Sequence, residues 1–159
     1  MEAAVAYCEA TGKDKFLRLM CKYADCIERA FVIEKTAKFQ TPGHEEIELA
    51  LVKLWKATGE GRYLALARHF LNVRGTVSED MYEGVTERCA QHHLPVREQT
   101  TAEGHSVRAG YLYSAMADLA PDRIVHLVYV AALVPPAGTT VFDLYFGPRG
   151  EAPPNHPDG

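Results

Sequence analysis

The 159-residue sequence predicts an all-α fold assembled from helical hairpins, on the strength of an internal repeat, a sustained helical periodicity and two matching helix starts. The repeat sets Tyr7-Cys8-Glu9-Ala10-Thr11-Gly12-Lys13-Asp14-Lys15-Phe16-Leu17 against Leu54-Trp55-Lys56-Ala57-Thr58-Gly59-Glu60-Gly61-Arg62-Tyr63-Leu64. Its period of about 47 residues suits stacked helix pairs, whether open solenoid or closed toroid. Glycine enters the left-handed conformation that closes a helix, and a few polar residues then reverse the chain. The aromatic and leucine that follow begin the inward face of the returning helix.

Taken in order, residues 1–7 already read as helix, with no polar lead-in and no N-cap, so the chain reads as one that opens inside a helix. In the return helix Phe16, Leu19, Met20, Tyr23 and Ile27 share one face and are expected in the core. Ile47, Ala50, Leu51, Leu54 and Thr58 repeat that spacing, as do Tyr63, Leu66, Ala67 and Phe70. Leu112, Ala115, Met116 and Leu119 mark a fifth helix. Gly43-His44-Glu45-Glu46 opens one helix and Gly104-His105-Ser106 another. The connection from about Gly75 to Gly104 is too long for a tight turn. Thr76 and Glu79 have capping-box spacing, which places a short helix within it.

After Ala120 the character changes. Residues 124–134 are rich in β-branched side chains and end at Pro135-Pro136, as a buried strand or a buried helix would. From Gly147 onward the chain is dense in proline and glycine, and a disordered tail is expected. The sequence thus divides into a helical domain, 1–120, and a tail of different character, 121–159.

Composition excludes several partners. An apolar share of 47%, a charged share of 24% and a formal net charge of −4 describe a globular protein with no electrostatic case for nucleic acid or an anionic membrane. No apolar run is long enough to span a bilayer, and no secretory signal precedes the first helix, so a cytoplasmic location is expected. Cys8, Cys21, Cys26 and Cys89 include no Cys-x-x-Cys pair, and the first three fall inside helical patterns as small apolar residues. Reduced thiols follow from the same absence of export. His92 and His93 adjoin on an extended run and point opposite ways, which argues against a metal site there.

Three motifs in order carry a family resemblance. They are residues 2–7 with Ala10-Thr11-Gly12; Pro42-Gly43-His44-Glu45-Glu46-Ile47-Glu48-Leu49-Ala50-Leu51-Val52-Lys53-Leu54; and residues 94–100 with Gly104-His105-Ser106-Val107-Arg108-Ala109. Across residues 2–119 the chain resembles the catalytic domain of glycoside hydrolase family 127, the non-reducing-end β-L-arabinofuranosidases. The resemblance implies part of an (α/α)6 toroid, with sugar bound where helix ends and loops meet at one mouth. It implies a retaining hydrolysis in which a zinc-bound cysteine attacks and a glutamate serves as acid/base, with a glutamate and three cysteines on the zinc. Those residues follow the segment corresponding to Ala120, and the family's Gly-Gly-Ile-Gly and Glu-Thr-Cys signatures are absent here. None of the four cysteines is therefore assigned to metal or nucleophile. No cofactor is expected in this chain, although zinc belongs to the complete family enzyme.

What the resemblance leaves here is a substrate side. His44 and His105 fall in the family's Gly-His motifs, whose histidines look like sugar-binding groups. A histidine in the first turn of a helix faces the positive end of the dipole, which favours neutral imidazole, and that ring both donates to and accepts from a hydroxyl. The competing reading is a histidine that caps its own helix. Glu45 is a weaker candidate, since acids in a first turn favour the helix by themselves. Arg97 and Glu98 either line the mouth or brace the long connection, with bracing preferred. A looser second resemblance, over residues 122–146, is to a late strand and loop of an α/β-hydrolase, but no Gly-x-Ser-x-Gly elbow accompanies it. It motivates the reading of a junction near residue 120, which the genomic DNA there would test.

The expected function is that of a glycoside hydrolase portion acting on β-L-arabinofuranosides, with part of its sugar rim but without its catalytic segment. The repeat alone also permits an α-helical scaffold that binds a protein or peptide. Five helices of a toroid leave two flanks open, which predicts self-association through exposed helix faces.

Overall fold

The computed structural model describes residues 1–77 and 85–119. All of the elements among them are helical. They are α1 (Glu2–Thr11), α2 (Lys15–Glu28, prolonged by a π-helical turn Arg29–Ile33), α3 (Glu46–Thr58), α4 (Gly61–Val73), a 3-10 turn (Val96–Glu98) and α5 (Ser106–Leu119). The expected Thr76–Glu79 capping box extends beyond the described residues, and the strand-like run and tail after residue 119 lie outside them.

Both Thr-Gly reversals form as the repeat predicts, and they form alike. Gly12 and Gly59 take left-handed conformations, with φ of 70° and 75°, and their N–H groups close α1 on the Cys8 carbonyl and α3 on the Trp55 carbonyl. The threonine explains itself in the same way twice. The Thr11 hydroxyl donates to the Tyr7 carbonyl at 2.6 Å and accepts the Lys13 N–H at 3.2 Å. The Thr58 hydroxyl donates to the Leu54 carbonyl at 2.8 Å and accepts the Glu60 N–H at 3.2 Å. One side chain thus satisfies a terminal carbonyl and the first amide of the turn.

The helices form two layers. α3 packs against α1 on one side and α5 on the other, while α2 and α4 pack back as the returning arms of the first two hairpins. An ion pair from Lys56 to Asp118, 3.1 Å, joins the last turns of α3 and α5. Their first turns meet at the other end through Arg108 and Gly43, so the two helices run parallel. On the outer layer Asp25 of α2 holds Arg62 of α4 at 2.9 Å and accepts from the Tyr63 hydroxyl at 3.4 Å.

The core gathers Val5, Leu17, Ala24, Ile27, Leu51, Val52, Leu54, Tyr63, Leu66, Ala67 and Phe70. α4 buries the four residues expected. α3 buries more than one face, because Glu48, Leu49 and Val52 are enclosed along with Ala50, Leu51 and Leu54. A helix flanked by three others has little outer surface. The expectation for α2 needs correction. Phe16, Leu19 and Tyr23 are 40%, 57% and 56% exposed, and the inward stripe is Leu17, Ala24 and Ile27. α2 carries two apolar stripes, and among the described residues only one of them is buried against a neighbour.

Candidate functional site: the Gly-His helix starts

Because α3 and α5 lie side by side and parallel, their Gly-His starts share one end of the bundle. The carbonyl of Gly43 accepts from Arg108 Nη1 at 2.6 Å, and the same nitrogen lies 3.4 Å from Glu45 Oε2. One turn further along α5, Tyr111 sets its ring edge-on to the His44 imidazole, with centroids 5.6 Å apart. His44 Nδ1 accepts the Glu46 N–H at 3.2 Å. A neutral ring that accepts at Nδ1 carries its proton on Nε2, which is then the free donor. His44 is half-buried and His105 exposed, so both are open to solvent. The His105 N–H donates to the Cys89 carbonyl at 3.2 Å, and its carbonyl receives the Ala109 N–H in the first turn of α5.

Beneath this rim lies a buried charge cluster that sequence reasoning missed. Arg74, 1% exposed, follows the last turn of α4. It donates to Glu45 Oε1 at 3.2 Å, to Glu48 Oε1 at 2.6 Å and to the Ala90 carbonyl at 3.1 Å. Glu45 is fully buried, and both of its carboxylate oxygens face arginines, Arg74 on one and Arg108 on the other. Its carboxylate points into the protein and is not presented to solvent in this structure. Burial raises the Glu48 carboxyl above its ordinary range, with Arg74 opposing only in part. The missed signal was positional. Arg74 continues the Tyr63, Leu66, Ala67, Phe70 stripe, and a charge on a core face demands a partner.

The long connection is braced from within. Arg97 donates to Asn72 Oδ1 from Nε at 3.3 Å and Nη2 at 3.0 Å, and Gln99 Nε2 donates to the carbonyls of Gln91 and Leu94. Arg97 thus ties the loop to α4, and Glu98 is exposed beside it. Gly104, at φ 89°, lies so close to the carbonyls of Arg88 and Cys89 that no Cβ fits there. His92 is buried, with Nε2 2.9 Å from the Thr41 hydroxyl. Burial, reinforced by the Arg74 charge, holds its pKa down at about 4. Among the described residues no three His, Cys, Asp or Glu side chains cluster as metal ligands. Cys8 on α1, Cys21 and Cys26 on α2, and Cys89 in the long connection are free thiols. These donors do not make up the zinc site of the resembled family. None of the described helices is long and apolar enough to cross a membrane.

Stacked helical hairpins whose Gly-His starts share one end, above a buried charge cluster, define an all-α helical-hairpin domain. The family model for the β-L-arabinofuranosidase GH127 catalytic domain matches residues 1–128, and the chain belongs to this family. It is 38% identical to a non-reducing end β-L-arabinofuranosidase of Bifidobacterium longum subsp. longum, over 74% of this chain and 20% of that protein. The crystal structure of a GH127 β-L-arabinofuranosidase from Geobacillus stearothermophilus T6 is 43% identical, with a TM-score of 0.64 over 77% of this chain and 21% of its own. A second GH127 β-arabinofuranosidase structure is 46% identical, with a TM-score of 0.66 over 77% and 18%. The chain therefore spans about a fifth of the length of these relatives.

Proposed function

We propose that this chain supplies part of the sugar-binding rim of a β-L-arabinofuranosidase, as one arc of an (α/α)6 toroid, and that it does not hydrolyse glycosides alone. The observation that carries the reading is the meeting of two Gly-His helix starts at one end of parallel helices. There His44 offers a donor at Nε2 from a ring fixed by Glu46 and Tyr111, and His105 stands immediately before the first turn of the adjacent helix. Two imidazoles at one rim suit the hydroxyls of a small sugar ring, with His44 donating from Nε2, because its Nδ1 is taken by the Glu46 N–H, and an imidazole at His105 able to donate or accept. Arg97, on the 3-10 turn with Glu98, braces the long connection on Asn72, while Glu45 acts from below. Family membership supports an arabinofuranoside as the ligand.

The test is a titration with methyl β-L-arabinofuranoside followed on the imidazole NMR signals. Saturable shifts of the His44 and His105 rings are expected, lost in His44→Ala and His105→Ala. Absence of saturable shifts in the wild-type chain refutes the assignment. In a parallel assay an aryl β-L-arabinofuranoside should show no turnover above a heat-killed control, with or without added zinc.

A further inference from the structure

Arg108 lies three residues past His105, on α5, and its guanidinium reaches the start of α3. Its Nη1 is shared between the Gly43 carbonyl, one residue before His44, and Glu45 Oε2, one residue after it. Glu45 is in turn held by Arg74, and Arg74 also binds the Ala90 carbonyl. The neighbouring Cys89 carbonyl receives the His105 N–H. These contacts close a ring: His105 to Cys89, Ala90 to Arg74, Arg74 to Glu45, Glu45 to Arg108, and Arg108 back along the first turn to His105.

We propose that Arg108 is a positioning residue for the sugar rim, fixing the His44 segment against the His105 segment so that both imidazoles address one sugar ring. The inference rests on the sugar-rim reading above for its ligand, but not for its geometry. Two features single out Arg108 within the ring. It is the member that joins the two helix starts directly, and of the three charged members it is the nearest the surface, with a side chain 14% exposed against 1% for Arg74 and 0% for Glu45. Removing it leaves Glu45 still paired with Arg74, so the buried carboxylate keeps a countercharge and the fold keeps its support. What is lost is the clamp on the Gly43 carbonyl, and with it the constraint on the backbone that presents His44. Sites built on helix starts reach useful precision only when such supporting contacts lock them.

The experiment compares wild type, Arg108→Ala and Arg108→Lys in the whole chain, with two independent readouts. Without ligand, the His44 imidazole nitrogens of wild type should report one tautomer, with the proton on Nε2. In Arg108→Ala they should move toward a tautomer mixture, while the amide signals of α1 and α2 stay in place, and Arg108→Lys should restore the wild-type pattern. With methyl β-L-arabinofuranoside, Arg108→Ala should bind roughly tenfold more weakly and Arg108→Lys close to wild type. Unchanged His44 signals in Arg108→Ala, failure of lysine to restore them, or global unfolding of Arg108→Ala overturns the positioning role. If wild type shows the single tautomer and its loss on substitution but binds no sugar, the positioning geometry stands and the sugar-rim reading fails.

Discussion

Arg74 concentrates the energetics of the rim in one side chain. A fully buried guanidinium that serves two buried carboxylates cannot be removed without stranding Glu48, while Glu45 keeps Arg108. Arg74→Ala should cost about 3–5 kcal/mol of unfolding free energy, measured by urea denaturation, because breaking one side of a buried pair exposes the full desolvation cost of the other. A loss below about 1 kcal/mol would show that water reaches the cluster. His92 gives the pH dependence. Its folded pKa of about 4 lies below the unfolded value of 6.5, so between these values the unfolded chain binds the extra proton. The His92 contribution is therefore present above pH 6.5 and lost as pH falls toward 4, up to about 3 kcal/mol in all. Glu48 acts with opposite sign, since its raised pKa makes the native state the better proton binder above pH 4.5. The comparison that isolates His92 is wild type against His92→Gln by urea melts at pH 7, 5.5 and 4. The gap between them should shift with pH across that range, and a constant gap would remove His92 as the cause.

Hairpin closure belongs to the element scale, and it was the part most legible in the sequence. Each Thr-Gly pair encodes its turn locally, through a left-handed glycine and a hydroxyl that reaches back one turn, so neither needs tertiary context. Gly12 and Gly59 have open space where a Cβ would stand, which leaves backbone strain as the sole penalty. Gly59→Ala should thus cost about 1–2 kcal/mol. Gly104→Ala should cost clearly more in the same urea assay, because its Cβ would collide with two backbone carbonyls as well. Equal losses would mean the Arg88–Cys89 loop yields freely. The histidine starts were legible for the same local reason, as Gly-His before an apolar run. What was not legible is non-local: Arg74 meets Glu45 and Glu48 from 29 and 26 residues away, and Arg108 meets Gly43 from 65. Periodicity shows that a residue faces inward but not what it faces. It failed on α2 for a related reason, since two apolar stripes on one helix do not say which has a neighbour.

At the scale of the molecule, that second stripe is the ground for expecting self-association. Tyr7, Phe16 and Leu19 line a groove of about 710 Å³ on the outside of the first hairpin, with Tyr23 a turn further on. Exposed apolar area of this kind drives association at about 25 cal/mol per Å² removed from water, before the entropy of pairing is subtracted. The groove is rimmed by Lys13, Lys15, Arg18 and Lys22, of which Arg18 is already paired with Asp14. Two copies meeting through this face bring like charges together, so the rim opposes what the stripe favours. Salt screens the first term and leaves the second, with a Debye length of about 10 Å at 0.1 M and about 3 Å at 1 M. Sedimentation of the chain should therefore show self-association that strengthens as salt rises. Leu19→Ser combined with Tyr23→Ser should return it to monomer at every salt concentration, without lowering the urea midpoint, because neither side chain belongs to the core. Association that weakens with salt, or that survives the double substitution, would place the contact on another face and leave the first hairpin's groove for a partner of opposite charge.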